Sequence, residues 1–277
     1  MNLLYAKESR LGQELAAASS LIVAYSGGVD SAYLAYKAHQ TLGQRMLAVT
    51  ALSPSYSARD REAAEACVNQ FHFAHEFIAT DEVSDSRYRA NNPDRCYFCK
   101  DELFTKLDEL AARRGFAAVA YGVNVDDQGD WRPGGRAAQN HRVLAPLLAA
   151  GLTKADVREL AHQARVPVWD RPASACLASR IAYGLEVTPE RLAVIEQGEE
   201  RIRQLGFHQF RVRHHGNLAR LEIAPEELPR ALNSEMAQRF AEIFKSLGFA
   251  YVTLDLEGYR RGSLNTHRFH SPVPPPQ

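Results

Sequence analysis

An α/β fold, with a parallel doubly wound sheet and a smaller C-terminal α+β domain, is what this sequence predicts, and three observations carry the expectation. Short apolar runs alternate with helical patterns through the first half of the chain, a Gly-Gly turn joins the first such run to a helix, and the pattern changes after Gly184. The first apolar run, 21–25, breaks into Ser26-Gly27-Gly28-Val29-Asp30-Ser31 and restarts as a helix. The leading N–H groups of a helix lack internal partners and carry the positive end of its dipole, so this junction has the layout of a phosphate cradle. Gly27 and Gly28 let the backbone approach a phosphate, Val29 lies within the turn, and Ser26 and Ser31 add hydroxyl donors. Asp30 can cap the helix or help hold a magnesium ion that accompanies the phosphates of ATP. The segment lacks the lysine of GxxxxGK[ST] and is not GxGxxG, so a different phosphate chemistry is implied.

An amphipathic helix carrying Leu3, Leu4, Leu11 and Leu15 precedes the first strand. Strands are expected over 21–25, 46–50, 74–78 and 117–121. Helices are expected after Ser31, over 59–71 and 100–114, and over 153–163, where the last completes the layer. Ligands of such sheets sit at the carboxyl ends of the strands, where Ser26, Thr50 and Gly122 fall. Beyond Gly184 the expected order is a helix over 188–205, strands over 210–213 and 218–223, a helix over 234–247 and a strand over 251–256. The domains are accordingly 1–185 and 186–270, followed by a Pro-rich disordered tail over 271–277.

A chain of 277 residues with 45% hydrophobic content can build one large or two modest cores. No run approaches the roughly 20 apolar residues that span a bilayer, and the polar start (Tyr5, Lys7, Glu8, Arg10) lacks the apolar segment of a signal peptide. The expectation is a soluble, cytoplasmic protein with no membrane partner. Thirty-three basic residues balance 33 acidic ones, which removes a global field for nucleic acid.

Four cysteines are too few for a disulfide scaffold in a chain of this length. Cys96-Tyr97-Phe98-Cys99 is a CxxC in a loop and first helical turn, where N–H groups stabilise thiolates. By itself it is compatible with a redox pair, part of a zinc site or a structural pair. Cys176 lies in Ala175-Cys176-Leu177-Ala178-Ser179-Arg180; a helical turn there would lay Arg180 over the cysteine and favour its thiolate. Cys96, Cys99 and Cys176 together could hold a [4Fe-4S] cluster with one iron open, and the other reading leaves Cys176 alone as the chemical residue. Cys67 reads as a small buried hydrophobe beside Val68 and Phe71.

Other polar groups are open to two readings each. Asn124, Asp126, Asp127, Asp130 and Arg132 form a polar loop after a strand, fit for a ligand or simply solvated. Arg211 and Arg213 alternate on a strand and so face one side, as a phosphate grip or as surface charge. Glu199 and Glu200 read as a solvated helix face, and His214-His215 as a polar strand end.

Ser26-Gly27-Gly28-Val29-Asp30-Ser31 resembles the PP-loop of the ATP pyrophosphatases, the adenine nucleotide alpha hydrolase-like fold. Asn92-Pro93-Asp94-Arg95-Cys96-Tyr97-Phe98-Cys99-Lys100, Gly122-Val123-Asn124-Val125-Asp126-Asp127, Ala175 to Arg180 and Arg211-Val212-Arg213 extend the likeness over nearly the whole chain. With these motifs the chain resembles the LarE family of ATP-dependent sulfur transferases, which mature the nickel-pincer cofactor of lactate racemase. The resemblance implies that ATP adenylates the two carboxyl groups of a pyridinium-3,5-biscarboxylic acid mononucleotide, which then become thiocarboxylates. It implies catalytic roles for Cys176, Arg180 and Asp30, and substrate contacts by Asn124, Asp126, Asp127, Arg180, Arg211 and Arg213. It also implies a metal-binding role for Glu200 and assembly into homo-oligomers. One branch of the family sacrifices the cysteine's own sulfur; another uses a three-cysteine [4Fe-4S] cluster, and Cys96 and Cys99 point to that branch. Competing expectations are a cluster-dependent tRNA thiolase, an amide synthetase that would leave Cys176 idle, and a nucleotide-sensing module.

Overall fold

The computed structural model describes residues 3–128, 133–172 and 174–260. The expectations for Asp130, Arg132 and the 271–277 tail lie outside the described residues. The chain divides into two units, one of residues up to Arg89 and Pro93–Ala175, the other of Ala90–Asn92 and Cys176 onward.

In chain order the first unit holds α1 (Leu3–Ala17), β1 (Leu21–Ala24), α2 (Val29–Leu42), β2 (Met46–Leu52), α3 (Ala58–Phe71), β3 (His75–Ala79) and α4 (Ser86–Arg89). It continues with α5 (Arg95–Arg114), β4 (Ala118–Tyr121), α6 (Pro133–Asn140), α7 (Pro146–Ala149) and α8 (Lys154–Gln163). The sheet order is β3-β2-β1-β4 with every pairing parallel, as the alternating apolar runs predict. A central parallel strand is covered on both faces, which is why β1 reads as the unbroken run Leu21-Ile22-Val23, all 0% exposed. Leu21 and Val23 pack with Leu11, Leu15, Tyr33, Leu34, Val157 and Leu160 on one face. Ile22 joins Leu47, Val49, Phe104, Leu107 and Leu110 on the other. From β1 the sheet grows one way through β2 and β3 and the other way through β4, so a topological switch point lies between β1 and β4.

One helix of this unit begins earlier than the sequence suggests, and α6 is a helix for which no expectation came from the sequence. The helix expected from residue 100 starts at Arg95, so both cysteines of the CxxC are helical. The segment PGGRAAQN forms α6, although its two glycines argue against a helix. Tertiary packing decides it: α6 lies so close to α5 that a Cβ on Gly134 would come 2.8 Å from Cδ of Lys100 and 3.3 Å from the Cys96 carbonyl. Leu144 then adds a single parallel bridge to Ala120 outside β4.

The second unit contains α9 (Pro189–Gln204), β5 (Phe210–His215), β6 (Leu218–Ile223), α10 (Leu228–Ala231), α11 (Ser234–Ser246) and β7 (Tyr251–Leu254). β5 and β6 are antiparallel around Gly216, whose φ of 72° suits a residue without a Cβ, and β7 joins β6 in parallel. Ile202, Phe207, Phe210, Val212, Leu221, Phe240 and Phe244 form its core. The change of pattern after Gly184 marks this unit, yet its chain enters at Cys176 rather than at 186. Asn91, fully buried, explains the difference: its Nδ2 donates to the carbonyls of Ile181, Ala182 and Leu185 at 3.3, 2.9 and 2.9 Å. Ile181 also bridges to His214, so 181–185 is tied to the second unit at both ends. No helix among the described residues is long and apolar enough to cross a membrane.

Gly198 makes a stability prediction here. A Cβ on it would lie 2.5 Å from Cε1 of the fully buried Phe244. Gly198→Ala gains about 0.5–1 kcal/mol of helix entropy but forces a ring into an occupied core, a cost of about 1–3 kcal/mol. A net loss is expected in urea titration, relieved by adding Phe244→Leu.

Candidate functional site

The Ser26–Ser31 turn lies at the switch point, between the ends of β1 and β4. Gly27 has φ 73°, and a Cβ on it would meet the Asp60 carbonyl at 2.9 Å and the backbone N of Ala64 at 3.0 Å, so the turn runs tight against α3. Ser31 Oγ donates to the Gly28 carbonyl (3.0 Å) and accepts from Ser26 N–H (3.2 Å), which draws the loop into a ring. Side chains of Ser57, Thr153, Thr188 and Asn233 cap α3, α8, α9 and α11. Helix α2 starts on Gly28 and has no side-chain cap, so its leading N–H groups stay available for an anion.

Asp30 does not cap α2. Its Oδ1 accepts from Asn124 Nδ2 at 3.2 Å and its Oδ2 from Lys154 Nζ at 3.4 Å, a lysine that the sequence reading did not single out. Thr50 stands at the end of its strand but is 1% exposed; its hydroxyl donates to the Tyr25 carbonyl (2.7 Å) and meets His75 Nε2 (2.9 Å). Asn124 is fully buried and forms a capping box with Asp127, whose Oδ2 accepts from Asn124 N–H at 3.1 Å. Asp126 Oδ2 accepts from Lys154 N–H at 2.6 Å. Both aspartates therefore secure the backbone beside Asp30. Gly122 allows β4 to end against α2: a Cβ there would fall 2.8 Å from Ser31 N and 3.0 Å from the Asp30 carbonyl carbon. Backbone atoms cannot give way as a flexible side chain can. Gly122→Ala is expected to displace the start of α2 and to weaken at least about tenfold the binding of the ATP expected from the sequence at this turn, read by calorimetry, with the fold kept by circular dichroism.

The CxxC occupies the first turn of α5, whose N-cap Asp94 makes no side-chain cap bond. Cys96 is exposed and Cys99 half-buried, and neither is in a disulfide. One turn apart, they share a face at the positive end of the helix. Cations cover rings near the motif: Arg136 lies 4.4 Å over the Tyr97 ring, Arg87 4.6 Å over Phe98, and Lys100 Nζ 5.0 Å over Tyr121. Cys67 is fully buried, and burial pushes its thiol up, as expected for an inert core residue. In neither unit do the described residues gather three or more His, Cys, Asp or Glu side chains into a metal site.

In the second unit Cys176 leads into a 3-10 turn, Leu177–Arg180. Arg180 reaches back along this turn, donating to the backbone carbonyl of Cys176 at 2.9 Å and to Ser179 Oγ at 3.2 Å. The rest of this guanidinium, 3% exposed, pairs with Glu199 through Nε (3.0 Å) and Nη2 (3.2 Å). Glu199 also accepts from Val212 N–H at 3.2 Å. Burial pushes the Glu199 carboxyl up, but Arg180, Arg211 and the Val212 amide outweigh it and hold the acid below its usual range. The solvated-face reading thus fails for Glu199. It is Glu200 that is solvated, paired with Arg203 at 2.7 Å and with more than half of its side chain exposed.

Arg213 is buried and held by Glu222 (2.9 and 2.7 Å), which is fully buried and also binds Arg220 at 2.8 Å. Arg211 is half-buried over the Tyr259 ring. Burial and the like charges of Arg180 and Arg213 hold Arg211 below its ordinary value, while Glu199 opposes them. Three guanidiniums thus crowd one side of β5 against fewer buried carboxylates, an arrangement that favours an anionic ligand. The helical period carried the missed signal. Leu192, Ile195, Gly198, Glu199 and Ile202 form the buried face of α9, so position 199 falls inside the stripe and 200 outside it.

No protein-family model matches the chain. It is 33% identical over 266 residues to the pyridinium-3,5-bisthiocarboxylic acid mononucleotide synthase of Lactiplantibacillus plantarum, covering 96% of each chain. An uncharacterised protein of Synechocystis sp. is 41% identical over 95% of this chain and 98% of its own length. One of Methanocaldococcus jannaschii is 29% identical over 87% of this chain and 90% of its own.

Proposed function

The chain belongs to the family of the pyridinium-3,5-bisthiocarboxylic acid mononucleotide synthases, and from that premise we propose that it activates the substrate's carboxyl groups with ATP through a PP-loop before sulfur enters them. The family's work is sulfur insertion into a pyridinium mononucleotide, and the chain is an enzyme of that kind. A carboxylate oxygen attacks the α-phosphorus of ATP, pyrophosphate leaves, and the acyl adenylate then accepts a sulfur nucleophile with AMP as leaving group. The observation that carries the reading is the uncapped start of α2 at the switch point, closed in by Gly27 and Gly122. Asp30, the second residue of that helix, suits a magnesium ion that accompanies the phosphates. Arg211 and Arg213 hold the anionic groups of the mononucleotide, and Cys176 with Arg180 serves the sulfur step.

Sulfur has two candidate carriers. One is a [4Fe-4S] cluster, for which Cys96 and Cys99, one turn apart at the start of α5, would be two of the thiolate ligands and Cys176 the third. When bound, the cluster supplies an open iron for a transferable sulfide. The second reading rests on Cys176 being the one cysteine of its unit. Its thiolate attacks the acyl adenylate, and loss of its Cα proton expels the thiocarboxylate and leaves dehydroalanine. Glu200, exposed and paired with Arg203, serves as a metal ligand only by giving up that pair. Light scattering tests assembly into homo-oligomers.

The test is to incubate anaerobically purified protein with ATP, magnesium and pyridinium-3,5-biscarboxylic acid mononucleotide. Release of pyrophosphate and AMP with formation of thiocarboxylate supports the reading; thiocarboxylate formation without ATP turnover refutes it. About four iron and at least four sulfide per chain indicates the cluster. Loss of the mass of one hydrogen sulfide from the protein indicates sacrifice.

A further inference from the structure

The arginines of β5 suit the anionic groups of a mononucleotide, yet they repel the positive charge that a pyridinium ring always carries. An acidic side chain would offset that repulsion but would in turn repel the carboxyl groups on the same ring. The face of an electron-rich aromatic side chain attracts the cation without a full negative charge. The second unit holds three tyrosines, Tyr183, Tyr251 and Tyr259. Of these, Tyr259 lies against the arginine group, its ring centroid 5.1 Å from the Arg211 guanidinium carbon. A built turn puts it there. After β7 ends at Leu254, Asp255 Oδ1 accepts from Glu257 N–H at 3.0 Å. Gly258, with φ 70°, brings the backbone so close to β6 that a Cβ would fall 2.6 Å from the Ile223 carbonyl oxygen. Tyr259 N–H then donates to that carbonyl at 2.8 Å. Ile223 follows Glu222, the cross-strand partner of Arg211, so the β5–β6 register brings ring and guanidinium together.

The ring thus already carries one planar, delocalised cation, and it is only half-buried, so part of its surface is accessible to a ligand. From this geometry we infer that Tyr259 seats the ring of the substrate: the pyridinium stacks on the part of the tyrosine that Arg211 leaves open, while Arg211 and Arg213 take the anionic groups. The inference rests on the substrate reading above. Tyr259 thereby sets specificity, favouring a mononucleotide with a cationic ring over one that has the same phosphate and carboxyl groups on a neutral ring. Arginines alone would give the opposite preference, because loss of the ring's positive charge relieves repulsion.

Calorimetry without ATP tests the inference with two ligands, pyridinium-3,5-biscarboxylic acid mononucleotide and its neutral 1,4-dihydropyridine form made by dithionite reduction. Wild type, Tyr259→Leu and Tyr259→Phe are compared, each with its melting temperature measured. Leu keeps apolar bulk beside the Arg211 stem, and Phe keeps the ring. Wild type and Tyr259→Phe are expected to prefer the pyridinium form by about 3- to 30-fold. Tyr259→Leu should lose that preference, weakening for the pyridinium form while the dihydropyridine form stays within about twofold of wild type. A preference kept in Tyr259→Leu, an equal loss for both forms, or a wild type that binds both alike overturns the inference. A wild type that binds neither form instead overturns the substrate reading on which it rests.

Discussion

Cys176→Ala is expected to end thiocarboxylate formation, by at least about 10³-fold, while pyrophosphate release from ATP continues. The reason is the separation of chemistry along the chain. The turn proposed to receive the phosphates is built from β1, α2 and β4 of the first unit, whereas Cys176 belongs to the second. The cysteine leads a short 3-10 turn in which its side chain caps nothing, so alanine leaves the turn and the Arg180 bond to the residue-176 carbonyl in place. Melting temperature should therefore change little. Product by mass spectrometry and pyrophosphate by a coupled assay are read on the same samples. Full product from the variant would remove Cys176 from the sulfur step. Cys96→Ala then separates the two carriers. Under the cluster reading it loses iron and turnover together; under the sacrificial reading it still completes one reaction per chain.

Much of the fold was legible because its signals are local. The apolar run 21–25 could only be a strand covered on both faces, and Gly27-Gly28 followed by a helix could only be a tight turn at its end. Element edges were less legible. The CxxC looked like loop because Asp94 and Pro93 precede it, but α5 begins at Arg95. Helix α6 forms from a glycine-rich segment because α5 needs a neighbour without bulk at Gly134. In the candidate site, motifs identified the residues but not their neighbours. Asp126 and Asp127 read as ligand-binding acids or as part of a solvated loop, and in the fold each also holds a backbone N–H. Lys154 and Asp30 are separated by α3, α5 and α6 in the chain, so only the folded sheet brings them together. Glu199 is the exception: the period of α9 would have found it.

Glu199→Ala should destabilise the protein by about 3–5 kcal/mol, because it leaves the Arg180 guanidinium buried without its counter-charge and Val212 N–H without an acceptor. A fall in melting temperature on the order of 10 °C is expected, against almost none for Glu200→Ala, whose pair with Arg203 is in solvent. Equal effects of the two substitutions would refute the buried pair. Replacing both partners, Arg180→Met with Glu199→Leu, should restore most of the stability but not activity. The same pair makes stability depend on pH. Folding holds the Glu199 carboxyl below its ordinary value, so its contribution is complete above the unfolded-state range near pH 4.5 and disappears as pH falls through the lower folded value. His214 acts in the same direction at higher pH: burial lowers it to about 4, so the fold favours its neutral form and loses that contribution between the ordinary value of 6.5 and about 4. Both groups belong to the second unit, so its near-UV signal should melt first on acidification. His214→Phe should remove the upper part of that pH dependence and leave the lower part, to which Glu199 contributes.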